Sequence, residues 1–117
     1  MIIRNVFAGE RAEEQAHDGN GLVEVYRAMT SSDFVCPWNF VAYAVLPPSA
    51  TIGLHRHEDE EELFFVLEGE GLVTIDEEQQ RVVKGDLILT PLGGTHGMIN
   101  NSSQNMALLV IEVRRAK

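Results

Sequence analysis

The sequence predicts an all-β sandwich or barrel. Three observations carry this expectation. About nine or ten short apolar or alternating runs follow one another, turn signals recur roughly every 8–12 residues, and no stretch sustains a helical period. Short strands with frequent turns bury their apolar faces by packing sheet on sheet or by closing into a barrel.

The elements follow in order. Ile2 to Phe7 reads as a short β segment. Ala8 to Gly21 is polar and carries Gly9, Gly19 and Gly21, so it reads as a loop with at most one helical turn around Glu10 to Ala16. His17 lies in this loop and reads as a solvated residue. Leu22 to Met29 alternates, with Val23, Val25 and Arg27 on one face and Leu22, Glu24 and Tyr26 on the other. Asn39 to Leu46 is apolar on both faces and is stopped by Pro47-Pro48. Cys36, just before it, reads as a small buried hydrophobe. Thr51 to His57 is a strand that leads into the acidic run Glu58 to Glu62. Leu63 to Leu67, Leu72 to Ile75, Gln80 to Val83, Leu87 to Thr90, His96 to Asn100 and Met106 to Val113 complete the strands. Arg114 to Lys117 reads as a solvated tail.

A chain of 117 residues with 44% hydrophobic residues is expected to form one domain over residues 1–117. A net charge of −9 argues against nucleic acid and against anionic membranes, which select clustered Lys and Arg. No apolar run approaches the ~20 residues of a membrane span. The single cysteine rules out an internal disulfide, and no signal-peptide pattern opens the chain, so a cytoplasmic location is expected.

Three of the four histidines fall between residues 55 and 100. His55 and His57 leave the same strand face about 6.5–7 Å apart along the backbone, close enough for both imidazoles to reach one cation. Glu62 opens the next strand, and His96 arrives from a strand further on. Three neutral nitrogens and one carboxylate form a mixed set without thiolate. Such a set suits a divalent transition metal: Fe, Mn, Ni, Co, Cu or Zn. Four protein ligands on a six-coordinate ion leave positions for chemistry.

At these residues the sequence resembles the cupins. His55-Arg56-His57, four residues, Glu62, six residues and Gly69 match the first cupin motif. Gly85, Pro91, Gly93, His96 and Asn100 match every position of the second. One departure is Ser49, which stands where the family has its leading glycine. The resemblance implies a double-stranded β-helix, or jelly-roll barrel, with His55, His57, Glu62 and His96 as metal ligands. Glu61 is the rival to Glu62. Strand parity and the six residues to Gly69 favour Glu62. Asn100 is assigned a structural role at a turn or strand end.

Period-two reasoning nominates the pocket walls. Phe64 shares the face of Glu62, Met98 that of His96, and Leu108 lies on the apolar face of the last strand. Tyr43 is the inward polar candidate for a catalytic or substrate-binding role if Val41, Tyr43 and Val45 face in. Leu63, Phe65 and Leu67 make the second face of their strand apolar too, so it needs a cover. Residues 1–8 or a second subunit could supply it, and a homodimer is preferred. The leading function is a metal-dependent oxidase or dioxygenase acting on a small organic molecule. A metal-dependent sugar isomerase, epimerase or lyase and a non-catalytic module for a small ligand or metal are the alternatives. The fold alone does not choose among them.

Overall fold

The computed structural model describes residues 1–115. Ten strands build it: β1 (Ala12–Glu14), β2 (Val23–Thr30), β3 (Trp38–Leu46), β4 (Thr51–Arg56), β5 (Glu60–Glu68), β6 (Glu70–Ile75), β7 (Glu78–Val83), β8 (Leu87–Thr90), β9 (Thr95–Ile99) and β10 (Met106–Arg114). They form two antiparallel sheets, one of six strands ordered β1-β2-β3-β10-β5-β8 and one of four ordered β4-β9-β6-β7. The sheets face each other as the jelly-roll barrel that the resemblance implies. Among the described residues, the only helical elements are two single 3-10 turns, Ala16–Asp18 and Ser31–Asp33. No helix within the described residues is long and apolar enough to cross a membrane.

Alternation places one face of each strand inside. Leu46, Phe64, Val66, Met98, Met106 and Leu108 are fully buried between the sheets. Asn100, also fully buried, closes the far end: its Nδ2 donates to the carbonyls of Leu46 and Gln104, and its Oδ1 accepts from the backbone N–H of Ser102. Buried polar atoms must find such partners. Ser49 adopts φ 72°, the left-handed region that the family's glycine at this position enters freely.

The structure corrects several expectations. Residues 2–7 form no strand. Val6 instead packs on the outer face of the six-stranded sheet beside Tyr43, Val45 and Ala107, and Phe7 meets the Tyr43 ring edge-on at 5.4 Å. The stretch 10–16 holds strand β1 rather than a helical turn. Cys36 is exposed, not buried.

Tyr43 lies on the outer face of β3. Ala42, Ala44 and Leu46 are the inward residues. The physical reason is volume. Alanines at 42 and 44 leave room inside the barrel, whereas Tyr43 finds apolar cover outside under the N-terminal segment. That cover stops short of β8, where Leu87 and Leu89 remain 65% and 55% exposed.

Candidate metal centre

Strand register explains why the histidines meet. His55 of β4 is the direct cross-strand partner of His96 of β9. The β4–β9 pairing is irregular between Ile52 and His55. A bulge there lets both of these side chains face inward, because one extra residue resets the alternation. His57 follows β4, and its backbone N–H and C=O bond to Gly94 and Gly93, so the two motif loops are tied together. Glu62 of β5 faces in from the other sheet, between its register partners Thr90 of β8 and Glu112 of β10. One ligand atom from each of His55, His57, Glu62 and His96 lies within 4.8 Å of the others. Glu62 is buried, and Glu61 points to solvent.

The three Nε2 atoms form a near-equilateral triangle with sides of 3.0, 2.9 and 3.1 Å. Their Nδ1 atoms are all occupied. His55 Nδ1 donates to the Gly53 carbonyl at 2.7 Å, His57 Nδ1 faces a Glu112 carboxylate oxygen at 3.1 Å, and His96 Nδ1 bonds Thr90 Oγ1 at 2.6 Å. A carbonyl can only accept, so the proton of a neutral His55 sits on Nδ1 and Nε2 is bare. The Glu112 carboxylate imposes the same tautomer on His57.

Bare lone pairs converging at about 3 Å repel unless a cation lies between them. A metal–nitrogen bond of about 2.1 Å sets cis ligands of an octahedron about 3.0 Å apart, against about 3.4 Å in a tetrahedron. The nitrogen triangle and the Glu62 contacts together span that range, so the four atoms fit around one cation. Glu62 completes the set, with its oxygens 3.4 Å from His57 Nε2 and 3.2 Å from His96 Nε2.

The electrostatics agree with a site built for a cation. Burial, reinforced by the neighbouring histidines, lowers His55 to about 4 and His96 to about 3, so both rings stay neutral and ready to ligate. Burial also raises the pKa of Glu62 and of Glu112, which lie side by side. Asn39 Nδ2 donates to the far oxygen of Glu112 at 3.0 Å and holds it against His57.

Beside the cluster lies a cavity of about 70 Å³. Its walls include Val25, Phe40, Ala42, Ala44, Phe64 and Val110, and its ionisable lining is Glu14, His17, Arg27, His55 and Glu62. Of the sequence-predicted wall residues, Phe64 lines the cavity and stacks on His96 at 4.8 Å and 3°. Met98 and Leu108 lie deeper in the core, and Tyr43 is outside. Glu60 is partly buried with an oxygen 3.8 Å from His57 Nδ1.

Sequence reasoning missed three residues. His17 stacks on His55 with ring centroids 3.4 Å apart. Glu112 and Thr90 orient His57 and His96. Glu112 had a visible signal, since it continues the inward parity of Leu108 and Val110. His17 had none, because a 3-10 turn carries no period.

Residues 42–112 match the family described as Cupin domain. The chain is 25% identical over 111 residues to an oxalate-binding protein of Thermotoga maritima, covering 95% of this chain and 92% of that one. Its fold superposes on a Thermotoga maritima crystal structure described as a predicted oxalate decarboxylase, with a TM-score of 0.92, 24% identity and coverage of 97% and 99%. It also superposes on the polyketide cyclase RemF of Streptomyces resistomycificus, with a TM-score of 0.79, 19% identity and coverage of 100% and 86%. At these identities the two structures establish a shared fold, and the second has a different chemistry.

Two predictions follow from the geometry. His55 and His96 are lowered from 6.5 to about 4 and about 3. The unfolded chain therefore binds more protons between those values, and stability falls as pH drops. Glu62 and Glu112, raised by burial, act with the opposite sign through the carboxylate range. Metal-stripped protein should lose thermal stability as pH falls from about 6.5 toward 4, because the two histidines carry the large shifts. A melting temperature that stays flat across that window contradicts this. Glu112→Gln removes the charge that orients His57 and should weaken metal affinity about tenfold in a chelator competition while the fold persists. Unchanged affinity means that Glu112 does not hold His57.

Proposed function

The chain belongs to the cupin domain family, and on that premise we propose that it is a metal-dependent enzyme acting on a small oxalate-like acid, with oxidation of the bound acid as its chemistry. One observation carries this reading: four converging ligand atoms lie beside a cavity of about 70 Å³. At roughly 10–15 Å³ per water-sized group, that space takes about half a dozen heavy atoms. An acid of oxalate's size fits, and a sugar does not fit entirely inside. The similarity to an oxalate-binding protein supports the same ligand class.

His55, His57, His96 and Glu62 would hold the ion. A bound divalent transition metal supplies Lewis acidity and open positions for the acid and for dioxygen. The remaining roles belong to the chain. Arg27 is the one cation among the cavity-lining residues, and Glu14 holds its guanidinium at 3.1 and 3.2 Å, so it meets an incoming carboxylate at the rim. Phe64, Phe40 and Val110 exclude water from the floor. The isomerase or lyase alternative needs a general base beside the metal. Tyr43 faces away, and the groups that line the cavity in its place are Glu14 and His17.

We further propose that a second copy of the chain covers the outer face at β8. The N-terminal segment shields only the Tyr43 end. Leu87 and Leu89 continue the apolar surface of their cross-strand partners Phe65 and Leu63 on the sheet's edge strand. A two-fold axis there lays the same patch on itself.

Metal analysis of protein purified without added metal should find about one ion per chain in the wild type and almost none in His57→Ala or His96→Ala. Glu62→Gln should weaken retention far more than Glu61→Gln. Retained stoichiometric metal in both histidine variants contradicts the site. With oxalate supplied, oxygen uptake with release of carbon dioxide supports oxidation. Carbon dioxide without oxygen uptake assigns a lyase, and binding without either product assigns a non-catalytic module. Leu87→Glu with Leu89→Glu should convert dimer to monomer in light scattering. A wild-type monomer at micromolar concentration removes the second copy.

A further inference from the structure

The residue in the cavity with no assigned task is His17. It sits in the 3-10 turn Ala16–Asp18, which crosses β4 as a strap. Asn20 anchors the strap: its N–H donates to Thr51 Oγ1 at 2.7 Å, its carbonyl accepts from Thr51 N–H at 2.9 Å, and its Nδ2 donates to the Ser49 carbonyl at 3.0 Å. Gly53 lets the strap settle. A Cβ at position 53 would lie 2.0 Å from the His17 carbonyl oxygen, so only glycine admits this approach.

The strap is also strained. His17 and Asp18 occupy the left-handed region at φ 50° and 57°. Two consecutive non-glycine residues there are unfavourable, and such strain persists where the surroundings hold it and concentrates at functional positions. Its consequence here is the position of one ring. The His17 imidazole lies parallel to His55, with centroids 3.4 Å apart and planes within 7°. It lines the cavity beside Glu62 and Phe64. It is near enough to His55, Glu62 and His96 for a charge on it to bear on all three. Its far side is exposed, and among the described residues no group hydrogen-bonds its ring nitrogens. It is not one of the four residues whose ligand atoms converge. The ring is therefore beside the cation position, outside the ligand set, with N–H capacity to spare.

We propose that His17 is a specificity-determining residue that donates a ring N–H to an oxygen of the carboxylate ligand held at the metal. Stacking on His55 fixes the plane of the donor. Arg27 approaches the same cavity from β2, so a turn and a strand each bring one group to a small dianion. This rests on the metal-and-acid reading above and adds the residue that selects the acid. A phenylalanine at 17 would stack equally well on His55, so the contribution of histidine over phenylalanine is the nitrogen.

The experiment uses Co²⁺ as the metal probe and oxalate as the ligand probe. Wild type, His17→Phe and His17→Gly are loaded with Co²⁺, uptake is followed by visible absorption, and oxalate is titrated by calorimetry. Glycine enters the left-handed region freely, so His17→Gly folds even if His17→Phe does not. All folded forms should take up one Co²⁺ per chain, and oxalate affinity should fall about tenfold or more in both variants, the loss expected for a charge-assisted hydrogen bond. Wild-type oxalate affinity in either folded variant overturns the proposal. Loss of Co²⁺ from His17→Phe also overturns it, because His17 would then belong to the metal site itself. Wild-type protein that takes up Co²⁺ but not oxalate sinks the proposal and leaves the metal reading standing. Wild-type protein that takes up no Co²⁺ sinks both.

Discussion

The centre depends on three polar contacts made away from it. Gly53, Glu112 and Thr90 each engage an Nδ1, and each fixes one imidazole so that its Nε2 points inward. These partners belong to three different strands, β4, β10 and β8. The orientation of the rings is thus a property of the closed barrel and not of the His-x-His segment alone. An isolated strand would present two histidines on one face, yet it could not hold their nitrogens 3.0 Å apart.

The same closure makes the site difficult to leave empty. Glu62 and Glu112 are cross-strand partners, both facing in and both raised in pKa by burial. Two buried carboxylates beside converging imidazole nitrogens carry repulsion that well-packed apolar residues would not. A divalent cation removes both sources at once. Binding energy for a metal is folding energy wherever the unfolded chain lacks the site. The polar cluster therefore lowers the stability of the metal-free barrel and raises that of the loaded one.

Much of this was legible in the sequence, for identifiable reasons. The strands were readable because period two and turn residues are local properties. The convergence of His55, His57, Glu62 and His96 was readable because each sits at a fixed offset from a turn-making glycine or proline. What was not readable was which face of a doubly apolar strand points in. On β3 alternation is silent, and the decision rested on side-chain volume: Ala42 and Ala44 face the cavity and Tyr43 does not. The bulge at Gly53 was hidden for a related reason, since it depends on pairing with β9. Residues 2–7 carry a strand's composition, but the edge of the sheet is taken by β1, and they serve as cover instead.

The small residues connect fold to selectivity. With alanine at 42 and 44 the inner face of β3 lies back from the metal cluster, and the space it vacates is the cavity. Larger residues there would fill the barrel and gain apolar burial at roughly 25 cal/mol per Å². The barrel forgoes that stabilisation at the one level where the four ligand atoms converge. Below that level Leu46, Met98, Met106 and Leu108 close the core completely. Access therefore comes from the rim, past Glu14, Arg27 and the strap bearing His17. A ligand reaching the metal must pass groups that can read its charge before it meets the apolar floor. The four converging atoms mark where a cation would sit, and the rim that a small molecule would meet first is drawn from β1, β2 and the turn between them. Cupins that share the ligand set can thus differ in substrate through residues outside both motifs.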